Sequence, residues 1–152
     1  MVRWRQAVLS ATVGAVALVL APLVTSVRAT DSDPREEIVL DASERATLLN
    51  GMRIYFESVH DIVAALAESQ VQRAEASARK SGAKMLQDVS PLTALKLPIG
   101  FMSISLDTHD KFDRLAERIA HSASRTDVLG DLRDILANCT SCHLTYRMAP
   151  TQ

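Results

Sequence analysis

From Leu49 onward, apolar side chains return at Met52, Phe56, Val59, Val63 and Leu66, with gaps of three and four. That rhythm is one face of an α-helix. Asp41-Ala42-Ser43-Glu44 precedes it. An acceptor followed three residues later by Glu is a helix start, so the first helix is expected over about 42–68. Val71, Ala74, Ala78, Met85 and Leu86 form a thinner stripe among good helix formers. They predict a second helix over about 70–88, with Gly82 weakening its end. Residues 89–101 (VSPLTALKLPIGF) carry two prolines and a glycine and read as a connection. They are apolar for a loop, so they either tuck onto the core or form a flap over an apolar ligand. His109, Phe112, Ala116, Ile119 and Ala123 predict a third helix over about 102–123. Ser124-Arg125-Thr126-Asp127 then supplies caps for a fourth, about 127–147, with Leu129, Leu132, Leu136, Cys139, His143 and Tyr146 on its stripe. No stretch alternates with period two, and no hairpin signal occurs. The expected fold is all-α: an antiparallel four-helix bundle, which buries four stripes at once.

The N-terminal 29 residues break this pattern. Arg3 and Arg5 are followed by an uncharged run from Ala7 to Val24, and Val27-Arg28-Ala29 places short side chains where a signal peptidase reads. This is the shape of a secretory signal peptide, with cleavage after Ala29. The alternative is an uncleaved anchor, because 18 uncharged residues approach the length of a bilayer span. Residues 30–152 are then the working domain, and the compartment is the periplasm. Residues 30–40 read as a loose lead-in.

Composition narrows the function. Of 152 residues, 47% are hydrophobic and 23% charged, which suits one globular domain. Loss of Arg3, Arg5 and Arg28 moves the formal charge from −1 to −4. With no basic run, a nucleic-acid partner is not expected. Two cysteines cannot staple a disulfide scaffold. Aromatics are only 4%, so a core of this size needs something else to fill it. No nucleophile triad, phosphate loop or carboxylate pair stands out, so the chain is not read as an enzyme.

The chemistry concentrates at Cys139-Thr140-Ser141-Cys142-His143. A Cys-x-x-Cys-His run is the attachment motif of c-type haem. Two thiols add across the two vinyl groups, and the adjacent imidazole becomes the proximal iron ligand. A thioredoxin-like pair would need a βαβ context, and a zinc site would need a second ligand pair. A plain disulfide would leave His143 without a purpose. One covalent haem c, holding one iron, uses both cysteines. Nine residues follow His143 here, and Met148 is too near to reach the opposite ring face. Any sixth ligand comes from upstream.

A haem motif at the end of the last of four helices resembles the cytochrome c′ family, the class II c-type cytochromes. The stretch Cys139-Thr-Ser-Cys142-His143-Leu-Thr-Tyr146-Arg147 is similar to that family's C-terminal signature, an aromatic and then a basic residue after the motif. The resemblance implies a periplasmic four-helix bundle with covalent haem in its core, often a homodimer packed through its first two helices. It also implies a residue of the first helix facing the iron. An apolar residue there leaves the iron five-coordinate and open to NO or CO, whereas a Met there gives a six-coordinate electron carrier.

Here the first-helix candidate is Met52, as second iron ligand or as core filler. Phe56 lies one turn on and is expected against the ring. Tyr146 is expected as packing on the proximal side. Arg147 is expected to flank the haem or to be a solvated helix-end cation. His109 is either a second axial imidazole or a hydrogen-bonded edge histidine. His60, one residue off the first seam, is expected to be half-exposed, and His121 to be solvated. The family's Arg shortly before the distal position has no match, because Arg45 lies seven residues before Met52 and Arg53 directly after it. The leading expectation is one-electron transfer to a periplasmic or membrane redox partner, whose basic patch would suit the acidic surface. Gas binding is the alternative, and a haem-free helical interaction or thiol protein the third.

Overall fold

The computed structural model describes residues 33–149. The expected signal segment, the Ala29 cleavage site and residues 150–152 lie outside them.

Two of the three long helices begin where a side chain accepts from the first free N–H groups. The Asp41 carboxylate accepts from the backbone of Ser43 and Glu44, both at 2.9 Å, and Glu44 accepts from the Asp41 N–H at 3.0 Å. This reciprocal cap opens α1, Ala42–Ala67. Ser124 and Asp127 form the same box at the start of α5, Arg125–Thr145. α1 stops at Ser69 with φ 59°. Gln70 N–H there donates to Ala65 C=O and Ser69 N–H to Leu66 C=O, a Schellman turn. Ser122, at φ 65°, repeats the device after α4, Ile99–Ala120.

The second predicted helix is shorter than its stripe. α2 covers Val71–Lys80, and a 3₁₀ turn follows at Ala83–Asp88. The break sits at Gly82, where a Cβ would lie 1.9 Å from an oxygen of Asp113. That carboxylate accepts from Ala83 N–H at 2.8 Å and redirects the chain. Inside the expected connection, Ser90 caps a single turn, α3, Pro91–Ala94. α4 starts three residues earlier than predicted.

Two strands escape the sequence pattern. β1, Glu36–Ile38, lies in the expected lead-in, and β2, Tyr146–Met148, in what should be the last turn of α5. They pair in parallel, Glu36 with Tyr146 and Ile38 with Met148. Three residues are too few for an alternation to register.

The described chain is mostly helical, as expected for an all-α fold. α1 packs on α2, α2 on α4 and α4 on α5. One core joins Ile62 and Ala65 of α1, Ala74 and Ala78 of α2, Phe112 and Leu115 of α4, and Leu132 and Ile135 of α5. A smaller cluster gathers Ile38, Leu97 and Phe101 beneath Tyr146 and Met148. Among the described residues, no helix is long and apolar enough to cross a membrane.

The phase of α1 differs from expectation. Its buried stripe is Ser58, Ile62 and Ala65, one position before the Val59, Val63 and Leu66 of the predicted seam. Phe56 is 76% exposed and Val63 47%. Small side chains are the cause. Ser81 donates to Ser58 across the α1–α2 contact at 2.9 Å, both residues fully buried. Two serines thus do core work that a hydrophobic pattern assigns to their neighbours. The third predicted stripe is in phase, with His109, Phe112, Ala116 and Ile119 buried.

Candidate functional site

In the last two turns of α5, Cys139, Cys142 and His143 stand at i, i+3 and i+4, which is one face of the helix. That face meets α1 and α4 across a cavity of about 330 Å³. Met52 and Phe56 line it from α1, and Phe101, Thr108 and Phe112 from α4. Five residues singled out in the sequence therefore surround one space: Cys139, Cys142, His143, Met52 and Phe56.

Both thiols are free and half-buried. Burial pushes each thiol above its ordinary pKa, and the neighbouring Cys139 adds to the rise at Cys142. They stay protonated at neutral pH. His143 is exposed. At the rim, Asn138 donates to Asp107 at 2.7 Å and accepts from Lys111 at 2.9 Å. Lys111 and then Asn138 hold the Asp107 carboxyl below the usual range.

Tyr146 and Arg147 do not line the cavity. α5 unwinds at Tyr146, which takes extended backbone (φ −120°, ψ 150°), so the residues after it leave the face of 139–143. The Tyr146 ring stands edge-on to Phe101 at 5.6 Å and supports the cavity wall from behind. Its hydroxyl lies close to where a Cβ of Gly100 would be, so a larger residue there would have to displace the Tyr146 hydroxyl. Arg147 pairs with Glu37, its neighbour across the strand pair, and approaches Asp33 at 3.9 Å. Its charge ties β1 to β2.

His109 is a satisfied core histidine. Its Nδ1 lies 2.8 and 3.1 Å from the carbonyl oxygens of Ser81 and Gly82, and its Nε2 2.6 Å from the Tyr55 hydroxyl. It borders a second cavity and not the one with the thiols. His60 and His121 are exposed, beside Asp61 and on the Glu117 carbonyl respectively.

The pattern reading missed Tyr55. Its ring stacks on Phe112 at 5.7 Å and 2°, and burial raises its phenol pKa. Tyr55 sits at the corrected helix phase, three residues before Ser58, so the signal was present one position from where it was sought. Also missed was the second cavity, about 600 Å³, between α1, the 83–97 segment and α4. The two cavities share Met52, Tyr55, Phe101 and Ser105 as lining residues. Val89, Ala94 and Leu97 of the apolar connection line the larger one, while Leu92 and Leu95 point to solvent.

No family model, curated protein or solved structure matches this chain.

Proposed function

We propose that this chain is a mono-haem c-type cytochrome of the cytochrome c′ kind, moving single electrons in the periplasm. One observation carries the reading. Two free thiols and an imidazole at Cys-x-x-Cys-His spacing share one cavity with Met52, whose thioether comes from the facing helix. The donor set suits haem c. Two thiols match two vinyl groups, and soft sulfur and imidazole suit iron at its two axial positions. Phe56 and Leu136 border the same space while 76% and 45% exposed, so apolar surface is left for an apolar group to cover.

In this reading Cys139 and Cys142 hold the porphyrin by thioethers. His143 and Met52 are the side chains that would bind its iron. Haem bound there supplies a one-electron couple between Fe(III) and Fe(II). The chain's own work is to position and to exclude water. α5 presents both thiols and the imidazole on one face. Phe101 and Phe112 give the space an apolar wall on the α4 side, which would lower the dielectric around a group bound there. α1, α2, α4 and α5 then form the antiparallel bundle, with the haem completing its core between α1 and α5. The leader 1–29 exports the chain, a periplasmic or membrane redox partner exchanges electrons with it, and two copies pair through α1 and α2. No enzymatic step is assigned.

Gas binding is the second reading, and one observation favours it. Met52 borders the larger cavity as well. Open space beside its side chain would let the sulfur leave the iron and admit NO or CO.

Visible absorption spectra of the protein, expressed with a haem-attachment system, test the reading. Sharp low-spin bands unmoved by CO are expected, and Met52→Ala should make the reduced iron high-spin and CO-sensitive. A wild-type spectrum already shifted by CO selects the gas-binding reading. Absence of covalent haem overturns both and leaves a helical interaction or thiol protein.

A further inference from the structure

The larger cavity has its own chemistry. Its walls are mostly apolar: Leu48, Met85, Leu86, Val89, Leu97 and Met102. At about 600 Å³ it lies within the range of small-molecule sites and far above the voids that packed interiors tolerate. No Lys or Arg is among its lining residues, and its one carboxylate, Asp88, is exposed. An anion entering it would lose its hydration without gaining a counter-charge.

Among its polar side chains, Tyr55, Ser105 and His109 form one cluster. The orientation of this cluster follows from what surrounds it. The carbonyls of Ser81 and Gly82 can only accept, so His109 Nδ1 carries the proton. In the neutral ring Nε2 then accepts, and the Tyr55 hydroxyl donates to it at 2.6 Å. The Tyr55 hydrogen is thereby committed. Ser105 hydrogen-bonds the same phenol and does so as donor, which leaves the oxygen one lone pair. A ligand that satisfies this cluster brings a hydrogen to donate. Phe101, Met85 and Met102 among the walls favour a flat aromatic body over an aliphatic one.

We propose that this cavity is a binding site for a neutral aromatic alcohol, of the phenol or quinol class, whose hydroxyl donates to Tyr55. The site lies beside the one assigned to haem, shares four residues with it, and depends on no haem chemistry.

The test is isothermal titration calorimetry on the full chain expressed with haem attachment, with 2-naphthol as probe. One equivalent of 2-naphthol should bind. 2-Methoxynaphthalene, which cannot donate, and 2-naphthoate, which is charged, should each bind at least tenfold more weakly. Tyr55→Phe should erase the preference for the alcohol over its methyl ether. Ala94→Phe, which adds bulk to the cavity wall away from the thiols, should abolish binding with the visible bands unchanged. Absent or unsaturable binding of 2-naphthol overturns the proposal, as does equal binding of the methyl ether. Unchanged affinity in Ala94→Phe also overturns it, by locating the probe elsewhere. The visible bands of the same samples report separately on the haem assignment. Intact bands without naphthol binding sink only the second site, and naphthol binding without bands sinks only the first.

Discussion

The two halves of the helical assembly are packed differently. Toward the C-terminal half of α1 and the N-terminal half of α5, side chains meet directly. Ile62, Ala65, Leu115, Val128, Leu132 and Ile135 are all at or below 3% exposure. Toward the other half, the same helices hold cavities of about 330 and 600 Å³ between them. Phe56 and Leu136 there keep much of their surface in water. One set of helices thus carries a core completed by its own residues and a core left for something else. A chain with 4% aromatics has little bulk to place there. The closed half supplies stability to the scaffold, and the open half leaves apolar surface uncovered.

The sharpest break in that comparison is a pair of truncations. Ile62→Ala, in the closed half, should destabilise the chain by about 2–5 kcal/mol, through lost burial and the cavity left behind. Phe56→Ala, in the open half, should change the stability of haem-free protein by less than about 0.5 kcal/mol, because its ring is already in water. Urea unfolding of both variants checks this. With haem attached, Phe56→Ala should become clearly destabilising if the ring is covered there.

Next in size is the buried serine pair. Ser81→Ala should cost about 1–3 kcal/mol, because Ser58 loses its donor inside a closed contact. Replacing both serines by Ala should recover part of that loss, and a double-mutant cycle measures how much.

Helix caps add a pH dependence in both halves. Ser124 lowers the Asp127 pKa by hydrogen bonding, and the Glu44 backbone and Ser43 lower that of Asp41. Lys96 lowers that of Glu44, which it meets at 2.6 Å. A carboxyl held lower in the folded state than in the unfolded chain contributes stability above its unfolded value. That contribution fades as pH falls through the ordinary carboxylate range and below. Thermal melts should therefore show a falling midpoint from about pH 5 downward. Asp127→Asn should flatten part of that slope, and an unchanged slope would refute the assignment.

The smallest effect concerns the two helix ends. Ser69 and Ser122 occupy left-handed backbone, where a Cβ is strained. Ser69→Gly and Ser122→Gly should each raise stability by a few tenths to about 1 kcal/mol, although glycine also frees the unfolded chain. Chemical denaturation reads the sign.

Much of this was legible in the chain, and each failure has a physical cause. Asp41-x-x-Glu44 and Ser124-x-x-Asp127 marked helix starts because capping is local, with donor and acceptor three residues apart. Cys139, Cys142 and His143 were placed on one face because helical spacing alone decides that. The phase of α1 was read one position late, because buried Ser58 counts as polar in any hydrophobic pattern. Tyr146 and Arg147 were placed on a helix that ends before them. Their strand exists only because Glu36–Ile38, more than a hundred residues earlier, pairs with it.

By itself the sequence determined what depends on neighbours along the chain: a mostly helical architecture, its caps, and a Cys-x-x-Cys-His face on the last helix. The tertiary structure alone decided which side chains of distant helices share a space. It set Met52 and Phe56 opposite the thiols, gave both nitrogens of His109 to Tyr55 and the 81–82 carbonyls, and opened a second cavity beside the first. At Ser58 and Ser81, small buried residues let α1 and α2 approach closely. That distance is a property of packed pairs and has no local signature.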